Sequence, residues 1–288
     1  MTEILEKWDL TQLAAIFQQA GSIALGYYDN PPAELKDDLT VVTAADKEIE
    51  KLFTHYCDHP DQGIYLIGEE TSAQHSEEYI QPALQSDCCW VLDPIDGTAP
   101  YSAHFPVWGI SLGLMKKGRI IEGAVYLPVQ DILFITDGSK NLTCSLRNAS
   151  PLASVSPRSC ALGLHGHIAI GQAIAHDWVY NARNQLFALG SCVGACQWLM
   201  DGQVTAYCGT FKLWDMAGTL PILVNAGFSI ADLLEVDRAI SLDLHDGAFE
   251  LAPGKNRWKI KNPVIIALEH ATVLALQKNF NRINTQGW

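Results

Sequence analysis

Basic residues are scarce in this chain. Nineteen lysines and arginines stand against 32 aspartates and glutamates, a formal net charge of −13 over 288 residues. No basic stripe is present to release counterions from a nucleic-acid backbone, which excludes a duplex partner. Long apolar runs are also missing, and none approaches the roughly 18 residues that a membrane span requires. The opening Met1-Thr-Glu-Ile-Leu-Glu-Lys lacks the basic-then-apolar order of a secretory signal. Eight cysteines occur, but no pair has zinc-site spacing and no dense disulfide framework forms. Cys88 and Cys89 are adjacent, and Cys192 and Cys196 lie one helical turn apart. They read as reduced, mostly buried thiols of a cytoplasmic protein. No internal repeat or low-complexity tract interrupts the chain.

What is present is a soluble composition, 48% hydrophobic, long enough for one large or two medium domains. Apolar residues at helical spacing (Leu13, Ile16, Phe17, Ala20, Ala24) predict a helix over 10–28, capped near Thr11 and ended by Asn30-Pro31-Pro32. A polar loop follows over 36–40. Thr43 is a plausible N-cap for a second helix that carries Asp46 in its first turn. A strand is expected over 64–67, then a β-hairpin over 107–127 around Lys116-Lys117-Gly118, with 131–136 continuing the meander. Residues 139–158 are polar and read as a boundary. Beyond them, strands are expected at 168–170, 204–208 and 264–268. Helices are expected at 191–200, from Trp214 toward Asn225 with a break at Pro221, and at 269–280. Asn225-Ala-Gly227 suits a helix C-terminal cap. The result is two α+β halves, 1–140 and 141–288.

The densest chemical signal is Trp90-Val91-Leu92-Asp93-Pro94-Ile95-Asp96-Gly97-Thr98. An apolar strand runs into two carboxylates three positions apart, with Pro94 stiffening the turn. Two such acids repel unless a cation lies between them. Gly97 and Thr98 offer close backbone approach, N–H groups and a hydroxyl to an anion. Asp46 and Asp215 at helix starts, and Glu69-Glu70 after a strand, place further acids at element ends. Singly, each has an ordinary reading as a helix-dipole partner or solvated loop residue.

Taken in order, Val42-Thr-Ala-Ala-Asp46, Ile67-Gly-Glu69-Glu70, Trp90 to Thr98 and Trp214-Asp215-Met-Ala-Gly218 resemble the inositol monophosphatase family of the lithium-sensitive, magnesium-dependent phosphatases. The resemblance implies a layered αβαβα sandwich, also found in fructose-1,6-bisphosphatases. The first half would carry most metal ligands, and the second would contribute Asp215 and the alcohol side. It implies two or three Mg²⁺ ions on Glu69, Asp93, the Ile95 carbonyl, Asp96 and Asp215, the oxygen ligands that hard cations prefer. Catalytic roles pass to Glu69, Thr98 and Asp46, which would steer and activate a water, and Gly97 and Thr98 would cradle the phosphate. Lys36 matches a basic residue of the family's active-site loop. The implied activity is Mg-dependent hydrolysis of a small phosphorylated alcohol: an inositol-phosphate-like ester, a sugar phosphate or histidinol phosphate. Lithium sensitivity and a homodimer are implied as well.

Two departures stand out. After Asp-Gly-Thr the family pattern gives way to Ala99-Pro100-Tyr101-Ser-Ala-His104, so Tyr101 or His104 could face the substrate. Members acting on inositol phosphates usually carry a glutamate seven residues before the Trp-Asp aspartate. Here that position is Cys208, in a neighbourhood without an acid. The polyol-binding half is therefore altered, and a 3′-phosphoadenosine-5′-phosphate phosphatase or a non-catalytic binding protein are the alternatives. Other motifs carry less. Gly109-Ile-Ser111-Leu-Gly113 matches a nucleophile elbow in letters but sits within a β run. His55 and His59 share a helix face without the glutamate of a zincin. His165-Gly-His167 has no third ligand nearby.

Overall fold

The unbroken apolar run before Asp93 has a direct structural reason: the strand Cys88–Asp96 is covered on both faces. It was seen in a computed structural model, which describes residues 4–29, 33–35, 41–160 and 163–283. Side chains alternate across a strand. Trp90 and Leu92 point to one layer, where Leu13, Phe17 and Phe53 of the helices Leu10–Tyr28 and Ala44–Cys57 pack. Cys89 and Val91 point to the other, against Leu199, Leu213 and Leu220 of the helices Cys192–Met200, Leu213–Ala217 and Thr219–Asn225.

Among the described residues this strand belongs to a seven-stranded sheet, in the order Ile64–Gly68, Cys88–Asp96, Gly109–Lys116, Arg119–Leu127, Ile132–Asp137, Lys140–Cys144 and Ala153–Ser154. The first pair is parallel, joined through the helix Glu77–Gln85, and the remaining pairs are antiparallel. The polar stretch after residue 139, expected to mark a boundary, instead supplies the last two strands. Its polarity reflects an edge rather than a linker.

A second, five-stranded sheet runs Leu186–Ala188, Ile168–Ile170, Ala206–Gly209, Val264–Ala267, Ser229–Asp232. Its alternation is as clear. Ala169, Tyr207 and Ile266 face the central helices. Ile168, Cys208 and Ile265 face Ile174, Val273 and Leu276, from the helices Gln172–Asp177 and His270–Asn279. Helix, sheet, helix, sheet, helix is the resulting α+β sandwich.

Most expected elements form where the periodicity put them, with three local differences. Asp9, not Thr11, caps the first helix, accepting the N–H groups of Thr11 at 3.0 Å and Gln12 at 2.9 Å. The helix after Trp214 breaks at Gly218 rather than Pro221, because Pro221 lies in the first turn of a new helix, where its missing N–H costs nothing. The helices Glu77–Gln85 and Gln172–Asp177 and the strand Ser229–Asp232 were not foreseen. The loop 36–40 and Asn30-Pro31-Pro32 lie outside the described residues.

Gly218 also fixes how the central helices sit on the sheet. Its N–H donates to the Ser111 hydroxyl at 3.2 Å, and that hydroxyl donates to the Trp214 carbonyl at 3.1 Å. Ser111 is thus a buried tie between strand and helix, not a nucleophile. A Cβ on Gly218 would lie 2.5 Å from Ser111 Oγ and 2.6 Å from the Ala124 carbonyl oxygen. Gly218→Ala should therefore cost about 1–3 kcal/mol of stability, read as a lowered denaturant midpoint at unchanged slope. A midpoint equal to wild type would contradict this packing.

Candidate active site

The two acids of the central motif are separated by a break in the strand ladder. Asp93 pairs with Ser111 and Asp96 with Gly109, with a register shift between them. Asp93 shares a face with Val91 and so points toward the central helices. There it meets Asp215 from the first turn of the helix Leu213–Ala217. Carboxylate oxygens of Asp93, Asp96 and Asp215 all lie within 4.8 Å of one another. Glu69 follows the strand Ile64–Gly68, its N–H donating to the Leu92 carbonyl at 3.1 Å, and its side chain lines the same cleft. That cleft, about 440 Å³, takes in Glu69, Asp93, Ile95, Asp96, Gly97, Thr98 and Asp215.

Each acid is held by neighbours. Asp96 accepts from the Ser191 hydroxyl, from Cys192 N–H at 3.0 Å and from Val193 N–H at 2.7 Å, at the start of the helix Cys192–Met200. Asp215 accepts the Lys212 N–H at 2.9 Å. Asp46 accepts the Thr43 N–H at 2.8 Å, forming a capping box. Its other oxygen lies 3.3 Å from the Thr98 hydroxyl, which also reaches the Ile95 carbonyl at 3.0 Å. Gly97 adopts a φ of +88°, and a Cβ there would stand 2.8 Å from that of Ser191, so this turn admits only glycine. The first N–H groups of the helix Thr98–Ser102 have no intrahelical partner.

Asp93 is the exception. It is 2% exposed, and its Oδ1 has no hydrogen-bond partner. A buried charge without a partner is costly. Burial, and then the charges of Glu69, Asp96 and Asp215, hold its carboxyl well above the usual range. Burial pushes Asp215 to about 8, aided by Asp96 and Glu69. Asp96 is pushed to about 6 by burial, against the opposing hydrogen bonds of Ser191, Val193 and Cys192. Burial moves Asp46 to about 7. A divalent cation fits this donor set: it would accept the orphaned Asp93 oxygen and relieve the repulsion among its neighbours.

The structure does not bring every candidate together. Tyr101 is fully buried, its hydroxyl donating to the Ala24 carbonyl at 2.7 Å and its ring edge-on to Trp108, so it does not face the cleft. His104 sits outside it, with Nδ1 2.9 Å from the Tyr28 carbonyl. Cys208 turns into the outer core, and strand alternation presents Tyr207 to the cleft instead. Lys36 lies outside the described residues.

Other cleft residues escaped the sequence reading: Ser191, Lys212, Lys259 and Gln172. Only Ser191 carried a local signal, as the N-cap of an expected helix. The buried Glu50 was missed as well. It accepts the N–H groups of Glu70 at 2.9 Å and Thr71 at 2.8 Å, shaping the turn that carries Glu69.

Comparison with known proteins identifies the family and the fold. The profile of the Inositol monophosphatase family matches residues 5–274. A Sinorhizobium fredii protein named y4fL, uncharacterised, is 27% identical over 241 residues, covering 81% of this chain and 82% of its own. Inositol monophosphatase 3 of Solanum lycopersicum is 31% identical over 231 residues, covering 75% and 82%. An IMPase/NADP phosphatase solved with Mg²⁺ and phosphate superposes with a TM-score of 0.66 at 20% identity, covering 96% and 95%.

Two outcomes test the site. The raised carboxyl values mean that the folded state holds protons that the unfolded chain releases near pH 4. Their stabilising contribution is full below that pH and is lost as pH rises through 6 to 8. Metal-free protein should melt lower at pH 8 than at pH 5, and Mg²⁺ should raise the pH 8 midpoint more. The opposite slope in thermal scans would contradict the buried acidic cluster. Glu50→Ala should cost about 1–3 kcal/mol by stranding two N–H groups, and should weaken Mg²⁺ binding measured by calorimetry.

Proposed function

We propose, from the premise that the chain belongs to the inositol monophosphatase family and hydrolyses phosphate monoesters, that it is a Mg²⁺-dependent phosphatase of a small phosphorylated alcohol. The observation that carries this reading is Asp93 Oδ1, buried without a partner among the carboxylates of Asp96 and Asp215. Glu69, Asp93, Asp96, Asp215 and the Ile95 carbonyl would hold the cations. A divalent cation held there supplies Lewis-acid neutralisation of the phosphoryl charge.

The chain's own groups divide the remaining work. The N–H groups at Gly97 and Thr98 donate to the phosphate oxygens as preorganised donors, fixing the ester at the cleft floor. The Thr98 hydroxyl, tethered toward Asp46 Oδ1, orients a water in line with the phosphorus. Asp46, pushed to about 7, can take up or hold a proton at that oxygen near neutral pH. Glu69, at the same end of the neighbouring parallel strand, is a second carboxylate able to polarise the water. The pattern is one of positioning and charge neutralisation, as expected for phosphoryl transfer.

Asp93→Asn removes a charged ligand while preserving shape. Its kcat on a monoester should fall by about 10³-fold or more, since several kcal/mol of charge stabilisation are lost. The variant should remain folded by circular dichroism, and the Mg²⁺-dependent rise in Tm seen for wild type should vanish. Retained activity, or an unchanged Mg²⁺ response, would refute the assignment.

A further inference from the structure

The cleft does not end at the carboxylates. Thr210 and Lys259 line both it and an adjoining recess of about 470 Å³, whose wall also carries Lys261 and Arg282. Lys259, Lys261 and Arg282 are exposed, and none has a carboxylate oxygen within 4.0 Å among the described residues. Two acids belong to the same wall. Glu250 spends one oxygen on the N–H of Ala252 at 3.0 Å in its own loop, and Asp177 lines the recess as well.

The cations are also arranged at a cost. Lys212 and Lys259 oppose each other across an isolated antiparallel bridge, which places their side chains on one face. Like charges so placed destabilise the pair. Lys212 finds relief 3.9 Å from Glu69 and over the Trp214 ring. Lys259 has no such relief. In a chain with a net charge of −13, this concentration of cations beside the phosphate site is the opposite of the overall trend. From the strand that forms the cleft wall and the residue that follows it, Tyr207 and Thr210 are presented, with no carboxylate to accept hydroxyls.

We propose that the recess of Lys259, Lys261 and Arg282 binds a second anionic group of the substrate, so the hydrolysed ester carries a phosphate or carboxylate on its alcohol part. This rests on the phosphatase reading above. The phosphate to be cleaved sits at Gly97 and Thr98, and the alcohol extends past Thr210 so that its own negative charge meets the three cations. Guanidinium and ammonium groups suit both anions.

Matched esters test this on the full-length protein with Mg²⁺. Fructose 1,6-bisphosphate is compared with fructose 1-phosphate, and 2-phosphoglycerate with glycerol 2-phosphate. The member with the second anionic group in at least one pair should show a kcat/KM about tenfold higher, through KM, and the advantage should shrink with added salt. Which pair responds separates a phosphate from a carboxylate. Lys261→Ala with Arg282→Ala should erase the advantage and leave turnover of the ester without the second anionic group unchanged. Lys261→Gln with Arg282→Gln repeats the test with bulk retained. Equal or better turnover of the ester without the second anionic group in both pairs would overturn the proposal while leaving the phosphatase reading intact. So would an equal loss on both members in the variants. If no ester is hydrolysed, p-nitrophenyl phosphate included, both readings fall.

Discussion

Carboxylates repel, and here they are kept together out of water. At 4 Å two unit charges in a protein-like medium oppose each other by about 4 kcal/mol. Asp93, Asp96 and Asp215 come within 4.8 Å, and Asp93 is nearly inaccessible to solvent. Left alone, such groups would separate or stay protonated. Their raised pKa values record that tension, and the buried, unpartnered Asp93 Oδ1 is where a cation would relieve it.

Much of the architecture serves to resist this repulsion. Asp93 is anchored by a strand buried on both faces, which cannot shift register without exposing Trp90 and Leu92. Asp96 is pinned to the first turn of the helix Cys192–Met200, where backbone N–H groups and the helix dipole favour its charge. Asp215 is fixed by the close seat of its helix on the sheet, through Ser111 and Gly218. Glu50 braces the turn behind Glu69. The two sheets and the central helices meet at this point, so the site depends on every layer being in place.

Charge then changes sign within a short distance. Beyond the acids, Lys212, Lys259, Lys261 and Arg282 line the way out of the cleft. On the proposed reading an ester entering there would meet cations on its alcohol side, an environment unlike one built to accept the hydroxyls of a neutral polyol. Selectivity in such a site follows from which polar groups would be left unmatched.

The acidic half of the cleft was legible in the chain because its carboxylates lie at element ends that local patterns mark: an apolar strand before Asp93, a helix cap at Thr43, the Trp-Asp helix start. Periodicity likewise disclosed most helices and strands, since covering a sheet on both faces leaves continuous apolar runs. Sequence alone thus determined which acids the cleft gathers and the class of the fold. The rest of the cleft came only from tertiary structure. Tyr101 and His104 follow the motif in sequence yet turn away, and strand alternation swaps Cys208 for Tyr207. Lys259 and Arg282 reach the cleft or its annex from segments far along the chain. No local pattern encodes such encounters, because they arise where the packing of separate layers, rather than the turn of one element, decides what faces the cleft.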